Sequence, residues 1–246
     1  MKLLLLDIET APNQAYVWGL WDQNVGLSQL ISPSYTLCWA AKWYGEEEVF
    51  FDSIHRNNKE TMLKNIWKLL DEADAVVHYN GIRFDIPILN AEFLVAKMPP
   101  PSPYKQIDLL RTVKSQLRLP SNKLDYVSKV LNIGQKVKTD FDLWKDVMNN
   151  VPAAWKAMEV YNIQDVNLLE QAYDRLKPWI PHHPNVGLYQ EDREVCPKCG
   201  GKHIQKRGTY PTVASLYQRY RCSDCKTWFR GTHPLVKRPT APFASI

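Results

Sequence analysis

The 246-residue sequence has no apolar stretch of membrane-spanning length and no internal repeat, which excludes a helical membrane protein and a solenoid. Cysteine is scarce, with five residues of which four fall in two close pairs, so a secreted fold stapled by disulfides is not expected. Nothing before Asp7 resembles a signal peptide. A soluble protein of a reducing cytoplasm, in a bacterial or phage-infected cell, is the simplest placement. The length allows one sizeable core plus a small metal-stapled module.

Basic charge is lacking where most of the chain lies. Residues 196–246 carry ten Lys and Arg against one acid, Asp224, whereas residues 1–195 hold 21 Lys and Arg against 25 acids. The overall charge of +5 therefore hides a basic C-terminal part and a slightly acidic remainder.

Acids in three separated segments form the most informative pattern. Leu3-Leu4-Leu5-Leu6 followed by Asp7-Ile8-Glu9-Thr10 reads as a buried strand, whose period of two places Asp7 and Glu9 on one face. Ala73 to Gly81 reads as a strand ending in a glycine turn, and Asp85-Ile86-Pro87 suits the first turn of a following helix. From Pro152 to Leu176 apolar residues recur at helical spacing, with Trp155, Met158, Ile163, Val166 and Leu169 as core candidates. Tyr161 and Asp165 are four apart there and share a face. Four carboxylates that a fold can converge are what a pair of hard divalent cations needs.

Asp7-Ile8-Glu9, Asn80 with Phe84-Asp85, and Tyr161 with Asp165 resemble the three motifs of the DnaQ-like, or DEDD, 3′–5′ exonucleases, in the subclass with tyrosine in the third motif. The resemblance covers residues 1–177. Ile107-Asp108-Leu109, Ser121 to Val127 and Tyr161 to Val166 are also similar to exonuclease domains related to family B DNA polymerases and to the YprB-like ribonuclease-H-fold group; no polymerase module follows. The resemblance implies an α/β fold with a ribonuclease-H-like mixed five-stranded sheet flanked by helices. It implies two Mg²⁺ or Mn²⁺ ions, with Asp7 bridging both. Glu9 and Asp165 would hold the ion that binds the attacking water, and Asp85 would help hold the other, largely through water. Tyr161, with an ordinary pKa of about 10, would position the water rather than deprotonate it.

The rest of this region fits such a fold. Tyr35–Trp43 and Glu48–Asp52 read as a hairpin around Gly45, Lys59–Ala73 as an amphipathic helix, Lys105–Leu110 as a strand, and 124–131 and 141–149 as helices. Pro99, Pro100, Pro101 and Pro103 break the chain before that strand. Smaller expectations attach to single residues. Thr10 either contacts the terminal nucleotide or satisfies backbone; Asn80 lines the site; Phe84 lines it or, more in keeping with its type, joins the core. Asp108 is a supporting acid or a helix cap, and Lys123, Lys136 and Lys138 are phosphate contacts or solvated lysines. Cys38 is a small buried core residue.

Cys196-Pro-Lys-Cys199 and Cys222-Ser-Asp-Cys225 stand 22 residues apart, close to zinc-site spacing, and Gly200-Gly201 permits a tight turn after the first pair. With four cysteines, His203 and His233 are not needed as ligands. One structural Zn²⁺ is expected. Arg219, Arg221, Trp228 and Arg230 lie in a run that interleaves cations with aromatics, suited to phosphate contact and base stacking. The alternative is that Tyr220 and Phe229 are merely the module's own core and the arginines keep it soluble. The run also resembles the zinc ribbons of transposases and other DNA-binding proteins.

The expected organisation is an exonuclease domain over 1–177, a proline-rich linker over 178–194, a zinc ribbon over 195–232 and a partly disordered tail over 233–246. The expected activity is 3′–5′ hydrolysis of DNA, single-stranded or at 3′ ends, with RNA also open, in company with replication or recombination proteins. A structure-specific endonuclease on the same fold and a non-catalytic DNA-binding protein are the alternatives.

Overall fold

The computed structural model describes residues 1–135 and 139–236. The expected contacts at Lys136 and Lys138, and most of the expected tail, lie outside the described residues.

The leucine run forms β1 (Leu3–Thr10), which leads into a small hairpin of β2 (Gln14–Ala15) and β3 (Leu30–Ser32). Then come β4 (Thr36–Trp43) and β5 (Val49–Ser53), joined by a turn in which Gly45 has φ +83°. Next are α1 (Lys59–Glu72), β6 (Ala75–His78), α2 (Asp85–Val95), β7 (Lys105–Asp108) and α3 (Leu109–Gln116). The helices α4 (Leu124–Leu131), α5 (Phe141–Met148) and α6 (Pro152–Leu176) complete this part. The mixed sheet has the order β5-β4-β1-β6-β7, with β1 antiparallel to β4 and parallel to β6.

β1 is central because both its faces are apolar. Leu4, Leu6 and Ile8 pack with Met62, Leu63 and Ile66 of α1 and with Ile86, Leu89 and Phe93 of α2. On the other face Leu37 and Cys38 of β4 join Val147 of α5 and Trp155, Met158 and Tyr161 of α6. Asp7 and Glu9 alternate with Leu6 and Ile8, so they are presented on the α6 side. Val166 and Leu169 of α6 are buried as expected, whereas Ile163 is only half-buried, at the edge of the inward stripe. The strand expected over Lys105–Leu110 stops two residues early. The Asp108 carboxylate accepts from the N–H groups of Leu110 (3.0 Å) and Arg111 (3.4 Å) and starts α3 at Leu109.

The chain divides into two compact units, Lys2–Tyr173 and, grouped with Met1, Asp174 onward. In the second, a three-stranded antiparallel sheet of β8 (Ile204–Pro211), β9 (Leu216–Cys222) and β10 (Trp228–Val236) has the order β10-β9-β8. The proline-rich stretch is ordered by short helical turns at Lys177–Trp179 and Val186–Tyr189. Lys198, inside the first cysteine pair, ties it down by donating to the carbonyls of Lys177 (3.2 Å), Pro178 (3.0 Å) and Ile180 (2.7 Å). Among the described residues no helix is long and apolar enough to cross a membrane.

The turn after β6 depends on Gly81, whose backbone N–H donates to His78 Nδ1 at 3.1 Å. A Cβ there would meet His78 Cγ at 2.4 Å, and His78 is fully buried. Gly81→Ala is therefore expected to cost about 1–3 kcal/mol, the usual range for overpacking, read as a lowered midpoint in thermal denaturation.

Candidate functional site

Asp7 and Glu9, on one face at the C-terminal end of β1, meet Asp165 of α6. Each offers a carboxylate oxygen, and these oxygens all lie within 4.8 Å of one another. The field of the acids reaches across the sheet: Cys38, paired with Glu9 in the ladder, has its thiol pKa raised well above normal by burial and by the charges of Glu9 and Asp7. Cys38 is a buried free thiol, as its sequence context suggests.

Asn162, which sequence reasoning passed over, is fully buried and holds this cluster. Its Nδ2 donates to Asp7 Oδ2 at 2.7 Å and approaches the Asp7 carbonyl at 3.4 Å. The only available signal was its place, one residue after Tyr161 and three before Asp165. Tyr161 itself is buried at 6% exposure, its ring edge-on to Trp144 with centroids 5.9 Å apart.

Asp85 takes the first turn of α2 as expected but is outside the close group of three. Its Oδ1 accepts from the Ile8 N–H at 3.1 Å, serving β1 where β6 has ended. Burial, aided by the charge of Asp108 and opposed by its backbone hydrogen bonds, pushes the Asp85 pKa up to about 7. Asp108 caps α3 and also accepts from the Asn80 N–H at 3.0 Å. Asn80 has a left-handed φ of +76°. His78 lies beside Asp108, with Nδ1 3.9 Å from Oδ2, yet burial keeps its pKa low. With Nδ1 accepting from Gly81, Nε2–H is the donor to Gln106 Oε1 at 3.2 Å, so His78 is neutral.

A cavity of about 540 Å³ opens beside Asp7, lined by Tyr79, Asn80, Lys114, Asn122, Lys123 and Asp125 among others. Asn80 and Lys123 both line this cavity, and Lys114 joins them from α3. Thr10 ends β1, partly buried, one residue beyond Glu9. Phe84 departs from its stronger expectation: it is 41% exposed, not core. Asp85 takes the inward position, and the residue before it, just outside the helix, faces away.

In the second unit the sulfurs of Cys196, Cys199, Cys222 and Cys225 all lie within 4.8 Å of one another. Cys196 to Cys225 is 3.6 Å and Cys199 to Cys222 is 3.7 Å, so neither pair is a disulfide. A tetrahedral site with Zn–S bonds of about 2.3 Å needs sulfur separations of about 3.8 Å, which these match. Burial pushes the Cys196 thiol up to about 11 and raises Cys199 as well, a cost that a bound cation would relieve. The expected turn at Gly200 is present, with φ +73°. His203 stands outside the sulfur group and pairs with Asp224 at 2.8 Å.

The β9–β10 register pairs Trp228 with Arg221, Phe229 with Tyr220 and Arg230 with Arg219. One face therefore carries the cations and Trp228, which is 52% exposed with Arg219 and Arg221 at 5.1 and 5.6 Å from its ring centroid. Arg230 lies 4.0 Å over Tyr217. The opposite face stacks Tyr220 on Phe229 at 5.7 Å. The small core and the cationic face are thus both present, on opposite sides.

A family model described as RNase H superfamily matches residues 4–177. A search of curated proteins found no match. Among solved structures, the chain is similar to the family B DNA polymerase from the hyperthermophilic archaeon Pyrobaculum calidifontis, with 19% identity and a TM-score of 0.55. The likeness covers 72% of this chain and 24% of that polymerase chain, and concerns the fold.

Because folding raises the Asp85 pKa from near 4 to about 7, the native state binds that proton more tightly than the unfolded chain. In EDTA, stability is therefore expected to fall as pH rises from about 4 to about 7, by up to about 1.4 kcal/mol per pH unit. Asp85→Asn keeps an acceptor for Ile8 but has no proton to lose. Denaturant titrations should show its advantage over wild type growing across that window and levelling above it.

Proposed function

The chain belongs to the RNase H superfamily, and from that premise we propose that it is a metal-dependent 3′–5′ exonuclease of the DEDD class with a tyrosine in its third motif, acting on DNA single strands or 3′ ends. The observation that carries this reading is the convergence of Asp7, Glu9 and Asp165, from elements over 150 residues apart in sequence, onto one point beside a cavity. An all-oxygen donor set of this kind fits hard divalent cations and not soft ones. Two Mg²⁺ or Mn²⁺ ions would supply the charge that activates water and stabilises the departing 3′ alkoxide.

The chain's own residues do the rest. Asp7, Glu9 and Asp165 would hold the ions, with Asp85 in a supporting role. Asn162 fixes one Asp7 oxygen and so steadies the carboxylate that the reading places at the metals. The Tyr161 hydroxyl would orient the attacking water. Lys114 and Lys123, on the cavity wall with Asn80, would neutralise the strand's phosphates. Thr10, next to Glu9, would border its terminal nucleotide. In the domain over 195–232 the four cysteines would hold one structural Zn²⁺. Arg219, Arg221, Trp228 and Arg230 would grip nucleic acid through phosphates and a base stack. Replication, repair or recombination is the setting this reading suggests, with RNA as a second substrate to test.

The test is a 5′-labelled single-stranded DNA oligonucleotide with Mg²⁺ or Mn²⁺. Wild type should give a ladder shortening by one nucleotide, abolished by a blocked 3′ end and reduced to background by Asp165→Ala. Cleavage despite the block would instead make the protein an endonuclease, and no cleavage in either metal a binding protein.

The second unit makes its own prediction. Elemental analysis should find one zinc per wild-type chain, and Cys222→Ser should lose it together with the protease resistance of residues 195–236.

A further inference from the structure

Between β1 and β4 the chain makes an excursion whose backbone is well tied. Tyr16 N–H donates to the Gln29 carbonyl (3.0 Å), Gln29 Nε2 to the Tyr16 carbonyl (2.9 Å) and Gly26 N–H to Gln29 Oε1 (2.8 Å). At its neck Ala11 N–H donates to the Tyr35 carbonyl at 2.8 Å. This built hairpin displays rings left bare among the described residues: Trp18 is 99% exposed, Trp21 84% and Tyr16 76%. Leu20 and Leu27 are similarly bare at 86% and 88%. An ordered element that keeps so much apolar surface in water marks an interaction site.

We infer that this hairpin is a stacking arm for the unpaired bases of the nucleic-acid strand whose end lies at the acidic cluster. The inference rests on the nuclease reading of that cluster. Three observations select this occupant. First, the hairpin leaves the sheet directly after Thr10, so it begins two residues beyond Glu9 and is continuous in sequence with the site. Second, Asp22 is its only charge between Ala11 and Tyr35, so it offers π-faces without a means of neutralising phosphates. Bases, which all have a π-face, fit that surface without regard to sequence. Third, the base of the hairpin supplies Pro12, Asn13 and Gln14 to a cleft of about 300 Å³ whose other wall is α5. That wall adds the exposed ring of Phe141 as a further stacking platform, with the Lys145 ammonium 5.6 Å from its centroid and held by Asp142 at 2.6 Å.

The arm would hold the strand by its bases while the lysines of the catalytic cavity meet its phosphates. It selects for unpaired substrate, since paired and stacked bases cannot lie against Trp18 or Trp21.

The experiment is fluorescence anisotropy of a labelled twelve-nucleotide oligothymidylate with the full chain in EDTA, where hydrolysis cannot interfere. The Trp18→Ala/Trp21→Ala double variant should bind at least about tenfold more weakly than wild type, while Trp18→Phe/Trp21→Phe should recover most of the affinity. The ratio between wild type and the alanine variant should be nearly the same at low and high salt, because the contact removed is not a phosphate contact. Circular dichroism confirms that both variants are folded. Unchanged affinity in the alanine variant overturns the inference, and if that variant instead changes the size of the particle in solution, the rings serve association of the protein with itself. Loss of binding with no hydrolysis by wild type in Mg²⁺ or Mn²⁺ would leave the arm standing and bring down the exonuclease reading, so the two fail separately.

Discussion

Mutual repulsion of carboxylates is the constraint around which this molecule is arranged. Asp7, Glu9 and Asp165 bring oxygens within 4.8 Å of one another, where like charges near a protein surface oppose one another by several kcal/mol. Side chains free to move would separate. These are carried by backbone that cannot follow such a movement: Leu3 to Leu6 are buried, fixing β1 from both faces, and Trp155 and Met158 fix α6 against the sheet. The half-buried ion pair of Lys42 and Glu170, at 2.6 Å, adds a second fastening between β4 and α6. The apolar core is in this sense what stores the electrostatic work that a bound cation would recover.

The parallel half of the sheet contributes a different kind of order. Where β6 ends, the edge of β1 still has a backbone donor to satisfy, and the Asp85 carboxylate takes the place of a strand. A chain of buried polar contacts then runs through the adjoining turn, in which Gly81 reaches His78, His78 reaches Gln106, and Asp108 joins Asn80 to the start of α3. None of these groups needs a charge on His78, and its burial denies it one. The cavity wall beside Asp7 thereby owes its shape to a neutral imidazole and a capping carboxylate.

Much of this could be read from the chain because it follows from periodicity. An apolar run ending in two acids of the same parity, and a helix with Tyr161 and Asp165 one turn apart, each fix a face before any fold is known. The cysteine pairs are legible for the same reason, since ligand spacing is local. What could not be read depends on tertiary partners. Asn162 has the look of an ordinary helical amide until Asp7 is placed opposite it. Phe84 is apolar enough to suggest core, yet its neighbour Asp85 claims the inward position. The hairpin between Ala11 and Tyr35 shows neither period clearly, and its meaning lies in exposure, which a sequence does not record.

The contact between Asn162 and Asp7 has one further implication. An amide and a carboxylate differ there by a single group, NH₂ against oxygen, in side chains of almost the same shape. At 2.7 Å the nitrogen is attractive and an oxygen in its place would face another oxygen. Spontaneous deamidation, the commonest chemical ageing of asparagine, would therefore turn the clasp that steadies the cluster into a fourth member of it. Full burial in a continuous helix, which denies the backbone the bend that deamidation requires, is then a form of chemical preservation as well as of packing.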